Sequence, residues 1–568
     1  MIANEETSIH LLDGLLMARM ATGGAAELRA NADTVNNLNV FPVPDGDTGD
    51  NMCRTIESGV VALDRLNTDD LGEVMSVLSN GMLFGARGNS GVILSQFFGG
   101  MAMGFENCSQ ADAETIGNAL QMGVKKAYAS VLTPTEGTIL TVAREAVTYA
   151  VSRLTKQSTV NDLFADLVKE MNDSLARTPE LLTVLKEANV VDSGGAGLMY
   201  IMEGFYKVLK GEQVSSEAPV LHRDAPTVDF SAFNADSEMV YGYCTELMLQ
   251  LQNSKVDVED FDVSVIVEYL SGIGDSIVSF KNGSLVKIHV HTMEPEKVIG
   301  FCRKFGEFVA VKIENMSVQH NETIGKQEPD SKTGSHDINE KEYGIVAICS
   351  GDGIEATFRE LGVDCIISGG QTNNPSTKDF LDAFSHIRAK HILVFPNNSN
   401  IIMAAKLAAQ MYDGAQIHVV ESKNLGAGYV GIASLASMDT ENDTTENILS
   451  QIDQAMANVT TAVISSAVRD ADMGGVHIQK GDFIGFIDKE IVVDADTRLE
   501  AACRMVDRLL LGDEDVFMLT LFCGKDATNE DNTSLQEYCS EHYPQVETYF
   551  VDGQQDIYCY IMMAEKCD

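Results

Sequence analysis

A turn rich in aspartate and glycine near residue 45 carries the side chains best suited to chemistry. Asp45 and Asp47 stand two residues apart in the stretch N-V-F-P-V-P-D-G-D-T-G-D-N-M, residues 39–52. In a tight turn, two such carboxylates can point oxygens at one hard cation, and Mg²⁺ takes one or two protein carboxylates together with phosphate oxygens. The same residue types are also ordinary in surface turns. The proline-fixed apolar run in front favours a metal site, because a solvent loop rarely begins Val-Phe-Pro-Val-Pro.

Three further glycine-rich turns, at residues 85–91, 134–138 and 192–197, each lead into an apolar helix-like segment. A Gly/Ser turn that opens a helix leaves free N–H groups and a positive dipole end for an anion. One such turn is weak evidence, because glycine and serine cap many helices. Several of them beside the D-G-D turn favour one nucleotide site assembled from loops at one end of a helical bundle. The sequence contains no Walker A motif, Rossmann fingerprint or protein-kinase H-R-D.

The elements that position these turns are helical, since apolar residues recur with helical spacing as far as about residue 210. This pattern predicts an all-α domain over residues 1–210, followed by a linker over 211–239. The helices predicted with definite bounds cover residues 70–83, 112–129, 140–155, 160–176 and 197–209.

A second domain is predicted over residues 240–325. Strands are expected at 240–251, 276–281, 284–292 and 307–314, and helices at 258–273 and 294–305. An Asn-Gly pair at 282–283 marks a hairpin. The order β-α-β-β-α-β predicts a ferredoxin-like unit, in which the first and third strands are neighbours.

Two histidines and a cysteine fall on those two central strands. His289 and His291, two apart in the third strand, share one face of the sheet, and Cys244 lies in the first strand. One cysteine and two histidines suit zinc with an open fourth position. The alternative is a pair of histidines on a solvent or interface face beside a buried cysteine.

A second polar linker is predicted over 326–342, and a third domain over 343–568. Strands and helices alternate from 344 to 420, which predicts a parallel sheet with functional loops at the carboxyl ends of its strands. The loop at 368–377 is either an ordinary helix cap or, as its length favours, a binding surface. Later strands (462–468, 476–493, 515–522, 546–562) and a helix at 498–511 predict a second lobe.

Residues 39–52, 85–96, 136–142 and 192–198 together resemble the nucleotide-binding domain of the dihydroxyacetone kinase family (DhaL or Dak type). The spellings N-V-F-P-V-P-D-G-D-T-G and G-A-R-G-N-S-G-V-I-L-S-Q are similar to those of the bacterial fatty acid kinase A family, and so are Y-G-Y-C-T-E and V-K-I-H-V-H-T in the second domain. The resemblance implies an α-helical barrel with ATP and two Mg²⁺ ions at its mouth. It also implies a middle domain with a metal site, involved in phosphoryl transfer and dimerisation. The third domain would be DegV-like and dock a separate fatty-acid-binding protein.

Residue roles follow from the same resemblance. Asp45 and Asp47 become metal ligands, and Asn39 lies near the place of a third metal aspartate. The implied nucleotide-binding residues are Thr48, Asn51, Gly88, Asn89, Ser90, Gly91, Thr138, Ser193, Gly194 and Gly195. The metal candidates of the middle domain are Cys244, His289 and His291. The two histidines, the two aspartates and Arg87, a cationic helper, are the catalytic candidates.

One residue departs from the family spelling. Asp50 stands where the usual sequence has a second threonine. Its carboxylate is either a further metal ligand or a charge that repels phosphate, and we expect it to be tolerated because bound metal ions supply local positive charge.

Composition narrows the class of protein. A net charge of -44 over 568 residues argues against nucleic acid and anionic membrane surfaces as partners. Eleven scattered cysteines without C-x-x-C fit a reducing compartment. No apolar run approaches the ~20 residues of a membrane span, and the acidic N-terminus has no basic segment of a secretory signal. A cytoplasmic location is expected.

Taken together, the motifs predict an ATP-dependent phosphotransferase. By resemblance, its acceptor is the carboxylate of a fatty acid presented by a DegV-family partner, which gives an acyl phosphate for phospholipid synthesis. ATP, two Mg²⁺ ions, a candidate Zn²⁺ and a homodimer complete the expectation. Two alternatives remain: a dihydroxyacetone-type kinase acting on a small polyol, and a non-catalytic adaptor that nucleotide regulates.

Overall fold

The computed structural model describes residues 8–39, 46–64, 66, 68–212, 243–258, 261–282, 284–315, 341–370, 373–436, 438, 440, 443–467, 471–473, 476–479, 481–487, 490–512 and 515–566. We refer to residues 8–212 as the helical region, 243–315 as the middle region and 341–566 as the C-terminal region.

The helical region is built almost entirely of α-helices around one apolar core. Its elements are β1 (Leu12–Asp13), α1 (Gly14–Ala30), α2 (Ala32–Asn37), α3 (Thr48–Leu63), α4 (Leu71–Gly85), α5 (Gly88–Gly104), β2 (Gln110–Ala111), α6 (Ala113–Ala129), α7 (Ile139–Ser152), α8 (Val160–Leu181), α9 (Thr183–Glu187) and α10 (Ser193–Leu209).

Aspartates set where several of these helices begin. Asp13, Asp70, Asp112 and Asp192 each accept a hydrogen bond from the backbone N–H three residues further on. A side-chain acceptor at this position satisfies one of the free donors of the first turn, which typically stabilises a helix by about 1 kcal/mol. The helical character predicted for this part of the chain is confirmed.

The middle region folds as a four-stranded antiparallel sheet covered on one face by two helices. In chain order its elements are β3 (Tyr243–Leu251), α11 (Ser264–Leu270), β4 (Gly274–Asn282), β5 (Leu285–Thr292), α12 (Pro295–Cys302) and β6 (Gly306–Asn315). The strand order is β4-β5-β3-β6, so the first and third strands of the unit are neighbours. The first helix is shorter than predicted. The predicted helix spans 258–273, whereas the observed one covers Ser264–Leu270.

The C-terminal region begins with the parallel sheet that the alternating pattern predicts. Its order is β10-β9-β7-β8. The elements are β7 (Lys341–Cys349), α13 (Asp352–Glu360), β8 (Cys365–Ser368), α14 (Thr377–Ser385), β9 (Ala389–Phe395), α15 (Ile402–Met411) and β10 (Gln416–Val419). The first strand begins at Lys341, inside the segment predicted as a linker.

A second lobe carries a six-stranded sheet of order β15-β14-β11-β18-β16-β17. Its elements are α16 (Leu425–Leu435), α17 (Thr445–Ala457), β11 (Val459–Ser466), β12 (Ala471–Met473), β13 (Val476–Ile478), β14 (Phe483–Ile487), β15 (Glu490–Ala495), α18 (Arg498–Leu510), β16 (Val516–Cys523), α19 (Asn529–His542), β17 (Glu547–Asp552) and β18 (Tyr560–Lys566). The sequence predicts β11, β16 and α18. It predicts single β segments over 476–493 and 546–562, where the structure has β13, β14 and β15, and β17 and β18. It does not predict β12, α16, α17 or α19. Across the described part of the chain, no helix combines the length and the apolar character that crossing a membrane requires.

Candidate functional site

Asp47, the second aspartate of the D-G-D turn, lies directly before α3 and is buried, with 8% of its surface exposed. Its carboxylate does not cap the helix. Instead, Oδ2 accepts a hydrogen bond of 2.6 Å from Nδ2 of Asn374, a residue of the C-terminal region. Asn39 is also buried. Asp45 lies outside the described residues, so its role as a metal ligand stays a prediction.

The amino ends of four helices meet around Asp47 at one end of the helical region. The Ser193 hydroxyl, at the start of α10, lies 3.3 Å from the Thr48 hydroxyl at the start of α3. Asp192 accepts hydrogen bonds from backbone N–H groups at the starts of α10 and α7. The first turn of α5 touches α3 at Asn51. The arrangement directs several helix dipoles and N–H groups towards one place, as an anion site requires.

Two glycines of α5 allow this close approach. Gly88 has φ of +58°, and a Cβ there would lie 2.7 Å from Nδ2 of Asn51. A Cβ at Gly91 would lie 2.4 Å from the Thr55 hydroxyl. Glycine is therefore required by both backbone conformation and space at Gly88, and by space at Gly91.

The glycines of α10 contribute to packing. A Cβ at Gly194 would lie 3.2 Å from Ile139, and one at Gly195 would lie 2.9 Å from Val142. These two predicted nucleotide-binding residues therefore face α7. Thr138 stands at the start of the same helix, where its hydroxyl donates to the Thr135 carbonyl at 2.7 Å.

Arg87 and Asn89 reach towards the C-terminal region. Arg87 Nη1 donates to the backbone carbonyl of Asn374 at 2.7 Å and lies 3.7 Å from Oδ2 of Asp379. Burial lowers the Arg87 pKa, and the Asp379 carboxylate opposes that shift. Asn89 donates to Oδ1 of Asn400 at 3.3 Å. The next residue, Ser90, lies in the first turn of α5.

Asp50, which departs from the family spelling, is held by two residues of the helical region. Its Oδ1 lies 3.4 Å from Arg29 Nη1, and its Oδ2 accepts from Asn36 Nδ2 at 3.1 Å. Arg29 also forms a bidentate pair with Glu57 at 2.9 and 2.7 Å. Both carboxylate oxygens of Asp50 are therefore engaged.

The loop before α14 joins the two regions directly. Arg87 and Ser376 form an antiparallel β-bridge, and the Thr377 N–H donates to the Ala86 carbonyl at 3.1 Å. Arg54 Nη1 donates to Oδ1 of Asn373 at 3.0 Å. Ser376 also caps α14 in a reciprocal capping box with Asp379. The loop therefore caps α14, as one of the two interpretations of its sequence holds, and it also packs against the helical region; its role as a binding surface stays a prediction.

The main residues that sequence reasoning missed are Arg54, Asp192, Asn374 and Asn400. Three of these pair the helical region with loops at the carboxyl ends of β8 and β9. The polar composition of those loops was visible in the sequence, but their partners were not.

The donor set at the mouth fits a cation with nucleotide phosphates. Asp47 supplies a carboxylate, and Asn89 Oδ1 is a buried acceptor with no hydrogen-bond partner among the described residues. Mg²⁺ prefers oxygen ligands of this kind and shares them with phosphate and water. An unpaired buried oxygen is costly, so a partner supplied by a ligand would be favourable there.

The backbone of the middle region brings the three zinc candidates into register. Cys244 pairs with His291 across β3 and β5, and the neighbouring pair on the same face is Glu246 with His289. The side chains of Cys244, His289 and His291 lie outside those described. Among the described side chains, no three His, Cys, Asp or Glu residues gather as a metal site.

Three family models match the chain: a DAK2 domain over residues 42–207, the middle domain of fatty acid kinase A-like (FakA-like) proteins over 240–323, and their C-terminal domain over 344–565. Protein YloV of Bacillus subtilis is 40% identical over 566 residues, covering 98% of this chain and 100% of the relative. The uncharacterized protein SAR1202 of Staphylococcus aureus is 37% identical over 560 residues, covering 98% and 100%.

Two solved structures match this chain at lower sequence identity. The fatty acid kinase (Fak) B3 protein of Streptococcus pneumoniae, loaded with linoleic acid, matches with a TM-score of 0.30 and 14% identity, over 40% of this chain and 99% of that one. The dihydroxyacetone kinase of C. freundii matches with a TM-score of 0.33 and 12% identity, over 41% and 49%.

Proposed function

We propose that this chain, which belongs to the FakA-like family, is an ATP-dependent kinase that phosphorylates the carboxylate of a fatty acid. The acid would be carried by a separate DegV-family protein, and the product would be an acyl phosphate for phospholipid synthesis. The observation that carries the proposal is the meeting of four helix amino ends around the buried Asp47 carboxylate. A match to the DAK2 model over residues 42–207 supports a kinase.

The chain's own groups would position the nucleotide. N–H groups at the starts of α3 and α5 would donate to phosphate oxygens, and Thr48, Asn51 and Asn89 would supply side-chain contacts. Mg²⁺ ions, held by Asp47 together with Asp45 and the phosphates, would neutralise the charge on the transferring group. Asn39 is the third candidate ligand.

The acceptor chemistry suits a carboxylate. A fatty acid carboxyl group is ionised at neutral pH, so its oxygen can attack the γ-phosphorus without a general base. The new bond joins that oxygen to phosphorus, the bond to the bridging β,γ oxygen breaks, and ADP leaves with the electron pair. The product is a mixed anhydride.

A polyol acceptor is the second kinase hypothesis, and it requires a catalytic base that the carboxylate acceptor does not. A hydroxyl group must lose a proton as it attacks, so dihydroxyacetone phosphorylation would need a base. Turnover of dihydroxyacetone without any partner protein would refute the fatty-acid proposal. A non-catalytic adaptor, the third hypothesis, predicts no ATP consumption with either acceptor.

The direct test compares two aspartates three residues apart. ATP consumption is measured with and without a DegV-family protein loaded with fatty acid, using Asp47→Asn and, as matched control, Asp50→Asn. Loss of a metal ligand that acts on the transferring phosphoryl group should lower turnover about 100-fold or more. Asp50→Asn should stay within about threefold, because Asp50 pairs with Arg29 and Asn36. Equal effects of the two substitutions would contradict the assignment of Asp47.

The middle region is proposed to be ferredoxin-like, to bind zinc through Cys244, His289 and His291, and to take part in dimerisation. The support is its β-α-β-β-α-β order and the register that places the three residues on one sheet face. With two histidines and a cysteine, one ligand position would stay open.

A further inference from the structure

The mouth of the helical region is closed by the C-terminal region of the same chain. Asp47, Thr48, Asn51 and Ser193 are all buried, although a bound triphosphate would have to reach them. The residue lying on Asp47 is Asn374, itself only 2% exposed. Nδ2 of Asn374 also lies 3.3 Å from where a Cβ of Gly88 would be, against the first turn of α5.

The Asn374 amide competes directly with a cation. It donates to Asp47 Oδ2 at 2.6 Å, and the proposed function gives this carboxylate to Mg²⁺. A cation bound to that oxygen would lie about 2.1 Å away, which leaves no room for the amide in the same direction. Docking of the loop and binding of the metal-nucleotide complex therefore compete for this side of the Asp47 carboxylate.

The interface holding the loop is specific yet imperfect, as a reversible contact should be. Ala86 and Val92 of the helical region share an apolar cluster with Phe380 and Ile401, and the β-bridge fixes the register. However, Oδ1 of Asn374 and the Thr377 hydroxyl are buried without a hydrogen-bond partner in the described part of the chain.

A cavity of about 530 Å³ also lies beside the loop, lined from both regions, with Arg54 and Arg87 on one side and Asp382 and His386 among the residues on the other. Unpaired buried acceptors and incomplete packing both lower the cost of separation.

We propose that residues 373–377 form an autoinhibitory latch, which occupies the metal-carboxylate end of the nucleotide site and must leave before Mg·ATP binds. Release would also uncover the face around Asp47, Arg54 and Arg87, which the loop contacts when it is docked. The inference rests on the proposed function, because it needs Mg·ATP to bind at Asp47.

Hydrogen exchange of the full-length chain, with and without Mg·ATP, tests the latch. The reporter is the amide of Thr377, whose N–H bonds to the Ala86 carbonyl when the loop is docked. Mg·ATP should protect peptides covering 46–55 and 88–95 and should speed exchange at Thr377 by about tenfold or more. Added protection at Thr377 would instead mean that the C-terminal region completes the ATP site, and would overturn the latch.

A variant of Asn374 also distinguishes a loop that blocks the ATP site from one that completes it, by whether Mg·ATP binding becomes tighter or weaker. Asn374→Ala removes the bond to Asp47, so the binding-competent fraction rises and the apparent Kd for Mg·ATP should fall about three- to tenfold. Arg54→Ala, which loses the contact to Asn373, should act in the same direction but more weakly. Thr533→Ala is the control, because its hydroxyl bonds within its own helix. Unchanged or weaker binding in Asn374→Ala would refute the proposal.

The two proposals fail in different ways. If Mg·ATP alters exchange nowhere in the helical region, the proposed function and the latch fall together. If it protects 46–55 and 88–95 while leaving Thr377 unchanged or slower, only the latch falls. The identity of the phosphate acceptor affects neither readout, since no acceptor is present.

Discussion

The substitution Asp192→Asn should make the protein more stable at neutral pH and leave it nearly unchanged in acid. Asp192 is buried where α7 and α10 begin. Burial raises its pKa to about 6, although hydrogen bonds from the N–H groups of Gly195 and Ile139 act in the opposite direction and lower the pKa. An unfolded chain releases this proton near the ordinary value of 3.8. Between these two values the folded state binds more protons, so stability falls as pH rises.

The magnitude follows from the shift. About two pKa units at 1.36 kcal/mol each give a cost of about 3 kcal/mol, complete above pH of about 6. Asparagine carries no charge and still caps a helix, so the variant should avoid most of that cost. Relative to wild type, Asp192→Asn should gain up to about 3 kcal/mol at pH 7.5 and almost nothing at pH 4.

The assay is thermal unfolding of the full chain at both pH values, followed by helical circular dichroism. A chain of several regions need not unfold in one step, so the comparison uses the transition that carries the helical signal. Asp112→Asn is the matched control at another helix start. The Asp112 pKa is lowered, chiefly by the backbone N–H of Thr115, so its stabilising contribution should be lost as the pH falls. A gain from Asp192→Asn that is equal at pH 4 and 7.5, or a loss at pH 7.5, would refute this reasoning.

Two other predictions concern a glycine and a metal. Gly88→Ala should cost roughly 1–2 kcal/mol of stability from the left-handed backbone alone, and it should weaken Mg·ATP binding by displacing the Asn51 amide. Gly99→Ala in the same helix, where only the end of the Lys126 side chain is close, should be neutral or stabilising. Melting temperatures and binding isotherms check both substitutions, and matching losses would contradict the argument. Elemental analysis should find about one zinc per chain, lost together with turnover in His289→Ala; a zinc-free wild type whose turnover survives that substitution would favour histidines on a solvent or interface face.

Much of the fold was predictable because local signals agreed with it. Strong apolar periodicity marked α4, α6, α7, α8 and α10, and the N-G pair marked the hairpin between β4 and β5. Alternation of strands and helices after residue 343 predicted a parallel sheet, which is observed.

The helix Leu425–Leu435 shows where local reasoning failed. Its three glycines, Gly426, Gly428 and Gly431, suggest a loop. In the structure they let the helix lie close to Thr461, Asn397 and Phe395, where a Cβ would meet neighbouring atoms at 2.2, 1.7 and 3.1 Å. The stabilisation comes from tertiary packing, which overrides weak helix propensity.

For the candidate site too, some features could be predicted from the sequence and others could not. Motif residues identified which loops gather at the mouth, because each loop carries its own turn and cap chemistry. The contact between Asp47 and Asn374 spans 327 residues and has no local signature. Asparagine in a polar loop before a helix reads equally well as a cap, and only the packed structure shows which carboxylate it meets.

Asp47 and Asp50 differ in which part of the chain their carboxylates contact. Both oxygens of Asp50 are engaged within the helical region, by Asn36 and by an Arg29 guanidinium that also pairs with Glu57. Asp47 has a partner from the C-terminal region, which lies outside the helical bundle. If Asp47 binds a cation as proposed, its carboxylate has to be both sheltered and accessible, and a hydrogen bond from a separate region of the chain meets both requirements.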